Sequence, residues 1–253
     1  VNPRLVYCSI TGFGQTGPYA HRAGYDFIIQ GLAGLMSVTG EPEGQPQKVG
    51  VAVIDVFTGI YAATAILAAL HQRASTGEGQ MIDMALMDVA VSVMANQAMN
   101  YLATGTPPVK LGNAHPNLAP YAVFDCADGW IILATGNDAQ YRRLCAILGL
   151  GDMAGDPRFL TNADRVTNRA EMTAALTAAT LRWQKADLLA ACEAEGVPAG
   201  PINNMAEVFA DPQVVARGMQ IAPGGVPGVR TPITFSGAAL SLDHPSPRLG
   251  QDD

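Results

Sequence analysis

Hydrophobic positions along the chain follow two patterns. Short apolar runs predict buried strands, and longer stretches with helical spacing predict helices. In the first hundred residues these patterns predict, in chain order, a strand over residues 5–10, a helix over 25–40, a long core helix that follows Asp55, a strand over 79–86 and a helix over 87–105. Strands that alternate with helices in this way indicate an α/β layer.

The second half of the chain has a different pattern. Residues 104–120 contain four prolines and no apolar periodicity, and we interpret them as a crossing between two domains. Beyond this crossing the pattern predicts a hairpin with its turn at Asp128-Gly129, amphipathic helices between 137 and 196, a helix over 205–218 and a strand and turn over 229–237.

The composition indicates a globular protein with a substantial core. Of the 253 residues 49% are hydrophobic and 15% charged, which suits one large or two modest domains. A formal net charge of −7 argues against a nucleic-acid surface and an anionic membrane surface, because either needs clustered Lys and Arg. No run of 18 or more consecutive apolar residues occurs, so no membrane span is expected.

The cysteines indicate a cellular compartment. Cys8, Cys126, Cys145 and Cys192 stand far apart and form no C-x-x-C pair. Scattered thiols in a chain of this size are typical of reduced cysteines, so we expect a cytoplasmic protein.

Three glycines after the first predicted strand suggest a nucleotide site. Gly12, Gly14 and Gly17 have the G-x-G-x-x-G spacing of a dinucleotide-binding turn. Such a turn must open a helix, because the pyrophosphate binds to free N–H groups at the helix N-terminus. Here Pro18 follows directly, and Glu41, at the place of the expected acidic residue, lies in a polar loop. We therefore predict a glycine-rich turn from strand to loop, with dinucleotide binding as the weaker alternative.

Asp55 is a lone carboxylate in front of an apolar helix. The simplest interpretation is an N-cap, since Asp at a helix start accepts hydrogen bonds from free N–H groups. The same position suits a nucleophile, because the helix dipole stabilises negative charge and a partly desolvated carboxylate can attack an activated acyl group. Asp88 also precedes a buried helix and is predicted to be a plain N-cap. Asp83 is predicted to bond to neighbouring backbone in its strand.

Other kinds of chemistry find little support. The histidines are widely spaced, so no metal site is predicted. Neither a G-x-S-x-G elbow nor a G-x-x-x-x-G-K-[ST] loop occurs, which argues against an α/β-hydrolase triad and against P-loop phosphate chemistry. His115 lies in a loop of small and polar residues where it could meet a substrate, although a surface histidine is the commoner explanation.

Five segments, in register over essentially the whole chain, resemble the class III CoA-transferases. This family includes formyl-CoA transferase, carnitine CoA-transferases and the α-methylacyl-CoA racemases. The segments are SITGFGQTGPYAHRAGYDFIIQGLAGLMSVTG, VGVAVIDVFTGIYAATAILAALHQRASTGEGQMIDMALMD, GNAHPNLAPYAVFDCADGWIILATGND, EGVPAGPINN and PITFSGAALSLDHPSPRLG.

The resemblance implies transfer of coenzyme A (CoA) from an acyl-CoA donor to a small carboxylic acid, without a metal. The family nucleophile is an aspartate that forms an anhydride with the acyl group, and Asp55 stands at its position. The residues that match a CoA-contacting family segment are Arg22, Ala23, Gly24, Tyr25 and Asp26. The residues in the loop that matches the family's acyl-covering loop are Gly112, Asn113 and His115. The glycine run of that loop is missing here, which argues against oxalate and formyl-CoA as substrates.

The family fold is an interlocked homodimer with a Rossmann-like large domain and a smaller α+β domain. On this basis we predict the large, CoA-binding domain over residues 1–104 and 205–253, the small domain over 112–204 and the linker over 105–111. Family members begin with a further βα segment and end with a C-terminal helix, and we expect the chain to lack both.

Three functions stay open at this point. A CoA-transferase is favoured. An acyl-CoA racemase or epimerase would move an α-proton, but the racemase branch uses a histidine where Tyr25 stands, and tyrosine, with an ordinary pKa of ~10, is a poor base for this step. The third alternative is a non-catalytic CoA-binding scaffold. The sequence does not reveal the donor and acceptor acids.

Overall fold

The structure is a computed structural model that describes residues 2–251 and mixes helices with short strands. The helices are α1 Asp26–Leu32, α2 Leu35–Val38, α3 Val53–Thr76, α4 Leu86–Val93, α5 Ala95–Thr104, α6 Asp138–Ile147, α7 Gly151–Gly155, α8 Asn162–Thr167, α9 Arg169–Thr180, α10 Lys185–Ala194, α11 Met205–Ala210 and α12 Pro212–Ala216. The strands are β1 Tyr7–Thr11, β2 Met81–Ala85, β3 Tyr121–Cys126, β4 Gly129–Ala134, β5 Ala199–Pro201, β6 Gln220–Ile221 and β7 Gly228–Val229.

Contacts divide the described chain into two compact units. The first comprises the described residues up to Val123 together with Pro157–Arg169. Its strands β1 and β2 pair in parallel, with Tyr7 opposite Met81. Parallel strands need a long crossover connection, which here contains α1, α2 and α3. The α/β character predicted for the first hundred residues is confirmed.

Helix α3 packs against α1, α4, β1 and β2. Ile54, at its start, forms a buried cluster with Ile29 from α1 and with Leu86 and Ala90 from α4. The apolar spacing of the three helices thus brings their first turns together, and the beginning of α3 is anchored in the core of the first unit.

Helix α3 is also the one helix among residues 2–251 that is long and apolar enough to cross a membrane. Length and composition alone satisfy this criterion, which the core helix of a soluble protein meets as well. The expectation of no membrane span stays a prediction.

The second unit comprises Phe124–Asp156 and the described residues from Ala170 onward. Its sheet has the strand order β3-β4-β5, in which β3 belongs to this unit from Phe124 onward, and β4 and β5 pair antiparallel. The predicted hairpin is confirmed, with the turn at Ala127 and Asp128 and with Gly129 as the first residue of β4. By contacts, residues after 204 group with this second unit, whereas we predicted them in the large domain; the predicted domain boundaries stay a prediction.

Four predicted elements differ in the structure. The helix predicted over 25–40 is two helices, α1 and α2, separated at Gly34, where φ is +88°. The helix predicted over 87–105 is two helices, because the backbone breaks at Ala95, where φ is +44°. The helix predicted over 205–218 is also divided, at Asp211. Pro212 has no N–H and begins a new helix, whose amides at Gln213 and Val214 are capped by the Asp211 carboxylate.

The fourth difference is the strand predicted over 229–237. Only Gly228 and Val229 form a strand, paired with β6, and residues 230–237 have no ladder. Pro232 lies in this stretch and cannot donate to a strand ladder.

Candidate functional site

The glycine turn after β1 is a strand-to-loop turn, as predicted, and no helix forms until Asp26. Gly14 and Gly17 have φ angles of 86° and 89°, in the region that favours glycine. Gly12 is required for another reason, since a Cβ on it would lie 2.6 Å from the Cα of Gly24. The turn therefore brings Gly24, in the segment before α1, back against Gly12. Because no helix begins at the turn, it offers no helix N-terminus that could bind a pyrophosphate.

Side chains of the two parallel strands hold this turn. The N–H of Gly14 donates to Thr11 Oγ1 at 2.8 Å, and the N–H of Gln15 donates to Asp83 Oδ2 at 2.9 Å. Asp83 thus bonds to neighbouring backbone, which confirms its predicted role.

The segment in front of α1, predicted to contact CoA, is largely open to solvent. Arg22 and Ala23 are exposed, and the guanidinium carbon of Arg22 lies 3.8 Å from the centroid of the Tyr19 ring. Tyr25 is the N-cap residue of α1, and 74% of its surface is exposed. A guanidinium suits phosphate and an exposed ring suits an apolar ligand surface, but contact with CoA stays a prediction.

Asp26 differs from its neighbours because its carboxylate points into the protein and only 9% of its surface is exposed. Its Oδ1 accepts hydrogen bonds from the N–H groups of Ile54 and Asp55 at 2.8 and 3.3 Å. Its Oδ2 accepts from Gln30 Nε2 at 2.6 Å, and Gln30 Oε1 accepts from the N–H of Val49 at 2.9 Å. The side chain we predicted as a CoA contact thus accepts three hydrogen bonds within the protein, and its contact with CoA stays a prediction.

Asp55 is the third residue of α3, and its side chain is exposed. The prediction that it caps the helix was wrong, because the N-cap residue is Ala52 and the side chain that bonds the first amides is that of Asp26. Among the described residues the Asp55 carboxylate has no hydrogen-bond partner. Within residues 2–251, Asp55 is therefore a carboxylate without hydrogen bonds in the first turn of a long helix, where the helix dipole stabilises its negative charge. A carboxylate in this arrangement is suited to act as a nucleophile.

Asp88 has the same local position in α4. It is the third residue, it is exposed, and the N-cap residue is Ala85, so the prediction that Asp88 caps its helix was also wrong. Helix α4 begins immediately where β2 ends, and the N–H of Met87 donates to the carbonyl of Gly12 at 3.1 Å.

Gly112 and Asn113, two of the predicted loop residues, line a polar cavity of about 340 Å³. Glu41 and Gln47 from the loop after α2 line the same cavity. The two loops are joined by a hydrogen bond of 3.1 Å from the N–H of Gly112 to the carbonyl of Gly40. The structure thus brings part of the predicted substrate loop together with a polar loop that we had not assigned to a site.

His115 is half-buried and holds its own loop together. Its Nδ1 accepts from the N–H groups of Asn117 and Leu118 at 3.0 and 3.1 Å, and its ring lies 5.2 Å from that of Tyr121. Burial, and to a smaller extent the positive charge of Arg169, lower the pKa of His115. A neutral imidazole with Nδ1 as acceptor follows, and its predicted role toward substrate stays a prediction.

The side chains that hold the 111–120 loop were missed by sequence reasoning. Arg165 is 1% exposed and donates through Nε to the carbonyl of Ala119 at 2.7 Å. Asn162 accepts from the N–H of Ala119 at 3.1 Å and donates to the carbonyl of Asn117 at 2.8 Å. These groups come from α8, far along the chain, so nothing local in the sequence indicated them.

Gln30 was missed as well, although a local pattern pointed to it. Asp26 and Gln30 are four residues apart in one helix, which is the spacing at which helical side chains hydrogen-bond. Two polar residues at this spacing within an apolar helix indicate a buried pair.

Other nucleophiles and a metal site are less well supported by the structure. Cys126, Cys145 and Cys192 are buried, and burial together with the nearby Cys126 raises the pKa of Cys192 to about 11. A buried protonated thiol is a poor nucleophile. Among residues 2–251, no group of three or more His, Cys, Asp or Glu side chains is placed to hold a metal ion.

The first unit is a mixed α/β unit with an exposed carboxylate at the start of a core helix. This agrees with the resemblance to the class III CoA-transferases. A family model described as CoA-transferase family III matches residues 1–253, and the chain belongs to this family.

Named relatives and a solved structure agree with this assignment. The chain is 59% identical, over 256 residues, to a succinate–glutarate CoA-transferase of Agrobacterium fabrum. This match covers 99% of this chain and 64% of that protein. It is 39% identical over 251 residues to an acetyl-CoA:oxalate CoA-transferase of Acetobacter aceti, with coverage of 99% and 64%. A crystal structure of a CAIB/BAIF family protein from Brucella suis matches with a TM-score of 0.86 and 60% identity, over 99% of this chain and 66% of that one.

The chain thus spans somewhat less than two thirds of the length of these curated relatives.

Proposed function

We propose that the protein transfers CoA from an acyl-CoA donor to a carboxylic acid, with Asp55 as the nucleophile. The observation that carries this proposal is the Asp55 carboxylate, which is exposed in the first turn of α3 and free of hydrogen bonds from the described residues. Membership of CoA-transferase family III supports the reaction class.

The reaction is a sequence of acyl exchanges at one carboxylate. A carboxylate oxygen of Asp55 attacks the thioester carbonyl carbon, the C–S bond breaks, and CoA leaves as its thiolate. The acceptor carboxylate then attacks the Asp55 carbonyl carbon of the mixed anhydride and displaces the donor acid. Finally the thiolate attacks the acyl carbon of the acceptor, which forms the new thioester and frees Asp55.

The protein's contribution is to hold the carboxylate at a fixed place and to limit water, because an anhydride is hydrolysed readily. The start of α3 meets the first requirement, since Ile54 is fully buried beside Asp55. We assign residues 22–25, of which all but the half-buried Gly24 are exposed, to contact with CoA, and Gly112, Asn113 and His115 to the acyl side. In the same proposal the protein is an interlocked homodimer with the predicted domains, and it acts in the cytoplasm.

For the acids, we propose short dicarboxylates such as succinate and glutarate. The support is the relative from Agrobacterium fabrum, 59% identical, whose name gives these two acids. The human and mouse relatives, 39% and 38% identical, are named succinyl-CoA:glutarate CoA-transferases. The missing glycine run in the 111–119 loop agrees with acids other than oxalate.

The racemase alternative has less support. Tyr25 stands where the racemase branch has histidine, and among the described residues no histidine forms a hydrogen bond with the Asp55 carboxylate. Exchange of solvent deuterium into the α-carbon of an acyl-CoA, without any acceptor acid, would favour racemisation. CoA binding without transfer to any acid would favour the scaffold alternative.

The experiment that tests the proposal is chemical trapping of the anhydride in the complete protein. Succinyl-CoA and hydroxylamine are added together, and peptide mass spectrometry locates the hydroxamate. We expect it on the peptide that contains Asp55, and not in Asp55→Asn protein. Asp88→Asn is the matched control, because Asp88 occupies the same position in α4, and its protein should be trapped like the wild type. Trapping that survives in Asp55→Asn protein would overturn the proposal.

A further inference from the structure

Two buried polar side chains of α1 form four hydrogen bonds, of which one lies within α1 and three connect α1 to residues 49–55. Asp26 is 9% exposed and Gln30 is fully buried. The N–H groups of Ile54 and Asp55 donate to Asp26, the Gln30 amide donates to Asp26, and the N–H of Val49 donates to Gln30. Burial of a charged carboxylate is unfavourable unless hydrogen bonds compensate it, and here each oxygen has at least one donor.

One of these donors belongs to the candidate nucleophile itself. Asp26 holds the backbone of Asp55 directly, at 3.3 Å, and the backbone of the preceding residue at 2.8 Å. A carboxylate in the first turn of a helix often bonds to free backbone N–H groups of that turn. Because Asp26 occupies two of these groups, fewer are left for Asp55, whose oxygens are without a partner among the described residues.

We propose that Asp26 and Gln30 are positioning residues for the Asp55 carboxylate. Asp26 fixes the first turn of α3 and takes the amides that would otherwise bind the nucleophile. Gln30 fixes the rotation of the Asp26 carboxylate and ties it to Val49, in the segment that leads into α3. This inference rests on the proposed role of Asp55 as the nucleophile.

The pattern of donors and acceptors makes the proposal testable by exchange of the two side chains. Asp26→Asn alone always leaves one donor facing another, since the new amide meets either the backbone N–H groups or the Gln30 amide. Rotating the Gln30 amide only moves the clash to the Val49 N–H. Gln30→Glu alone sets two buried carboxylates against each other. In the double variant the new amide at position 26 accepts from α3 and donates to the new carboxylate at position 30. That carboxylate also accepts from Val49, so all four hydrogen bonds return.

The experiment measures kcat, KM for succinyl-CoA and amide hydrogen exchange at residues 54 and 55, in the complete protein. We expect kcat of Asp26→Asn and of Gln30→Glu to fall about 10- to 100-fold, because a displacement of the order of 1 Å at the reacting group has this effect. KM should stay within about threefold, since neither side chain contacts substrate in this proposal. In the double variant kcat should return to within about threefold of wild type, and the two amides should again exchange slowly.

Asp211→Asn is the matched control. Asp211 caps α12 in the second unit with two successive amides at 2.8 and 3.3 Å, the same distances as at Asp26. The kcat of the Asp211→Asn protein should be unchanged, because in this proposal α12 carries no nucleophile.

Two results would overturn the inference. One is an unchanged kcat in Asp26→Asn protein, whatever the loss of thermal stability. The other is a double variant that folds but has no higher kcat than the single variants, which would indicate a purely structural role. Asp55→Asn, measured alongside, separates the two proposals. If it retains turnover, the proposed function fails, and if it is inactive while Asp26→Asn is fully active, only the positioning inference fails.

Discussion

Helices α3 and α4 begin alike along the sequence and differently in space. Each has an alanine as its N-cap residue and an exposed aspartate as its third residue, Asp55 in α3 and Asp88 in α4. In α3 two of the first amides are bonded by the buried carboxylate of Asp26. In α4 an amide is bonded by the backbone carbonyl of Gly12.

This difference shows that the local pattern of an aspartate before an apolar helix does not identify the candidate nucleophile. Both aspartates have the same pattern, and neither acts as a cap. What separates them is the Asp26 carboxylate from another helix, which holds the backbone at Asp55 and has no counterpart at Asp88 within residues 2–251.

The largest effect that we expect is on turnover. Asp55→Asn should lower kcat for CoA transfer by about 10³-fold or more, because the amide is a poor nucleophile, whereas Asp88→Asn should stay within about twofold of wild type. A coupled assay of acyl-CoA formation with succinate or glutarate as the acceptor measures both. Equal losses in the two variants would show that the two helix starts are not functionally different.

A substitution of Gly12, which contacts the segments leading to both helix starts, should have the next largest effect, and this effect is on stability. Gly12 touches Gly24, in the segment that leads to Asp26, and its carbonyl holds the start of α4. Gly12→Ala forces a Cβ against backbone, so the free energy of unfolding should fall by about 1–3 kcal/mol. Denaturant unfolding measures this loss.

Gly59→Ala is the control for that prediction. Gly59 is inside α3, and apart from the neighbouring residues and backbone of its own helix nothing lies within 4 Å of the place of its Cβ. The substitution should raise the free energy of unfolding by up to about 1 kcal/mol, since alanine is the better helix former. A stabilising Gly12→Ala would contradict the close contact.

A smaller effect should distinguish the two N-cap residues. Ala85→Ser adds a hydroxyl acceptor to a helix start that has no side-chain cap. Because Ala85 is 2% exposed and the Met87 N–H already donates to Gly12, the gain in stability should be at most about 0.5 kcal/mol. Ala52→Ser should change stability by less, because Asp26 already occupies the amides of α3. Thermal and denaturant unfolding of both variants measure the difference, and a larger gain at Ala52 would argue against the Asp26 cap.

The smallest effect concerns His115, in a loop whose polar groups bond to one another. Because the folded pKa of His115 is lowered, the unfolded chain takes up the proton first, near the ordinary value of about 6.5. The contribution of neutral His115 to the free energy of unfolding is complete above this pH. It is lost as the pH falls from about 6.5 to the lower pKa of His115 in the folded protein. His115→Asn keeps an acceptor near Nδ1 without the titration, so stability should depend less on pH in this window.

His71→Gln is the control, since His71 is exposed on α3. Stability is measured from pH 8 downward for the wild type and both variants. An unchanged pH profile in His115→Asn protein would show that the His115 hydrogen bonds do not depend on its charge.

Much of the fold could be predicted because its elements depend on local patterns. The strand before the glycine turn, the core helix after it and the hairpin near Gly129 follow from apolar spacing and turn residues. The breaks at Ala95 and Asp211 were not predicted. The first depends on a strained backbone angle within an apolar stretch, and the second on a proline that starts a new helix instead of ending the segment.

The candidate site was predicted less completely. Asp55 was found through its apolar surroundings and its match to the family, but its role as a cap was assigned wrongly. We predicted that Asp26 contacts CoA, whereas its carboxylate points into the protein. Sequence spacing does not determine which way a single polar side chain points, because that depends on donors from distant elements.

The sequence by itself determined the kind of layer, the position of the long apolar helix, the glycine turn and the lone carboxylate in front of that helix. Each of these depends on residues close together in the chain, where periodicity and backbone preference act. The tertiary structure alone decided which carboxylate is buried and which is free. Asp26 and Asp55 are chemically the same, and only the packing of α1 against α3 supplies the amides that bind one and leave the other exposed.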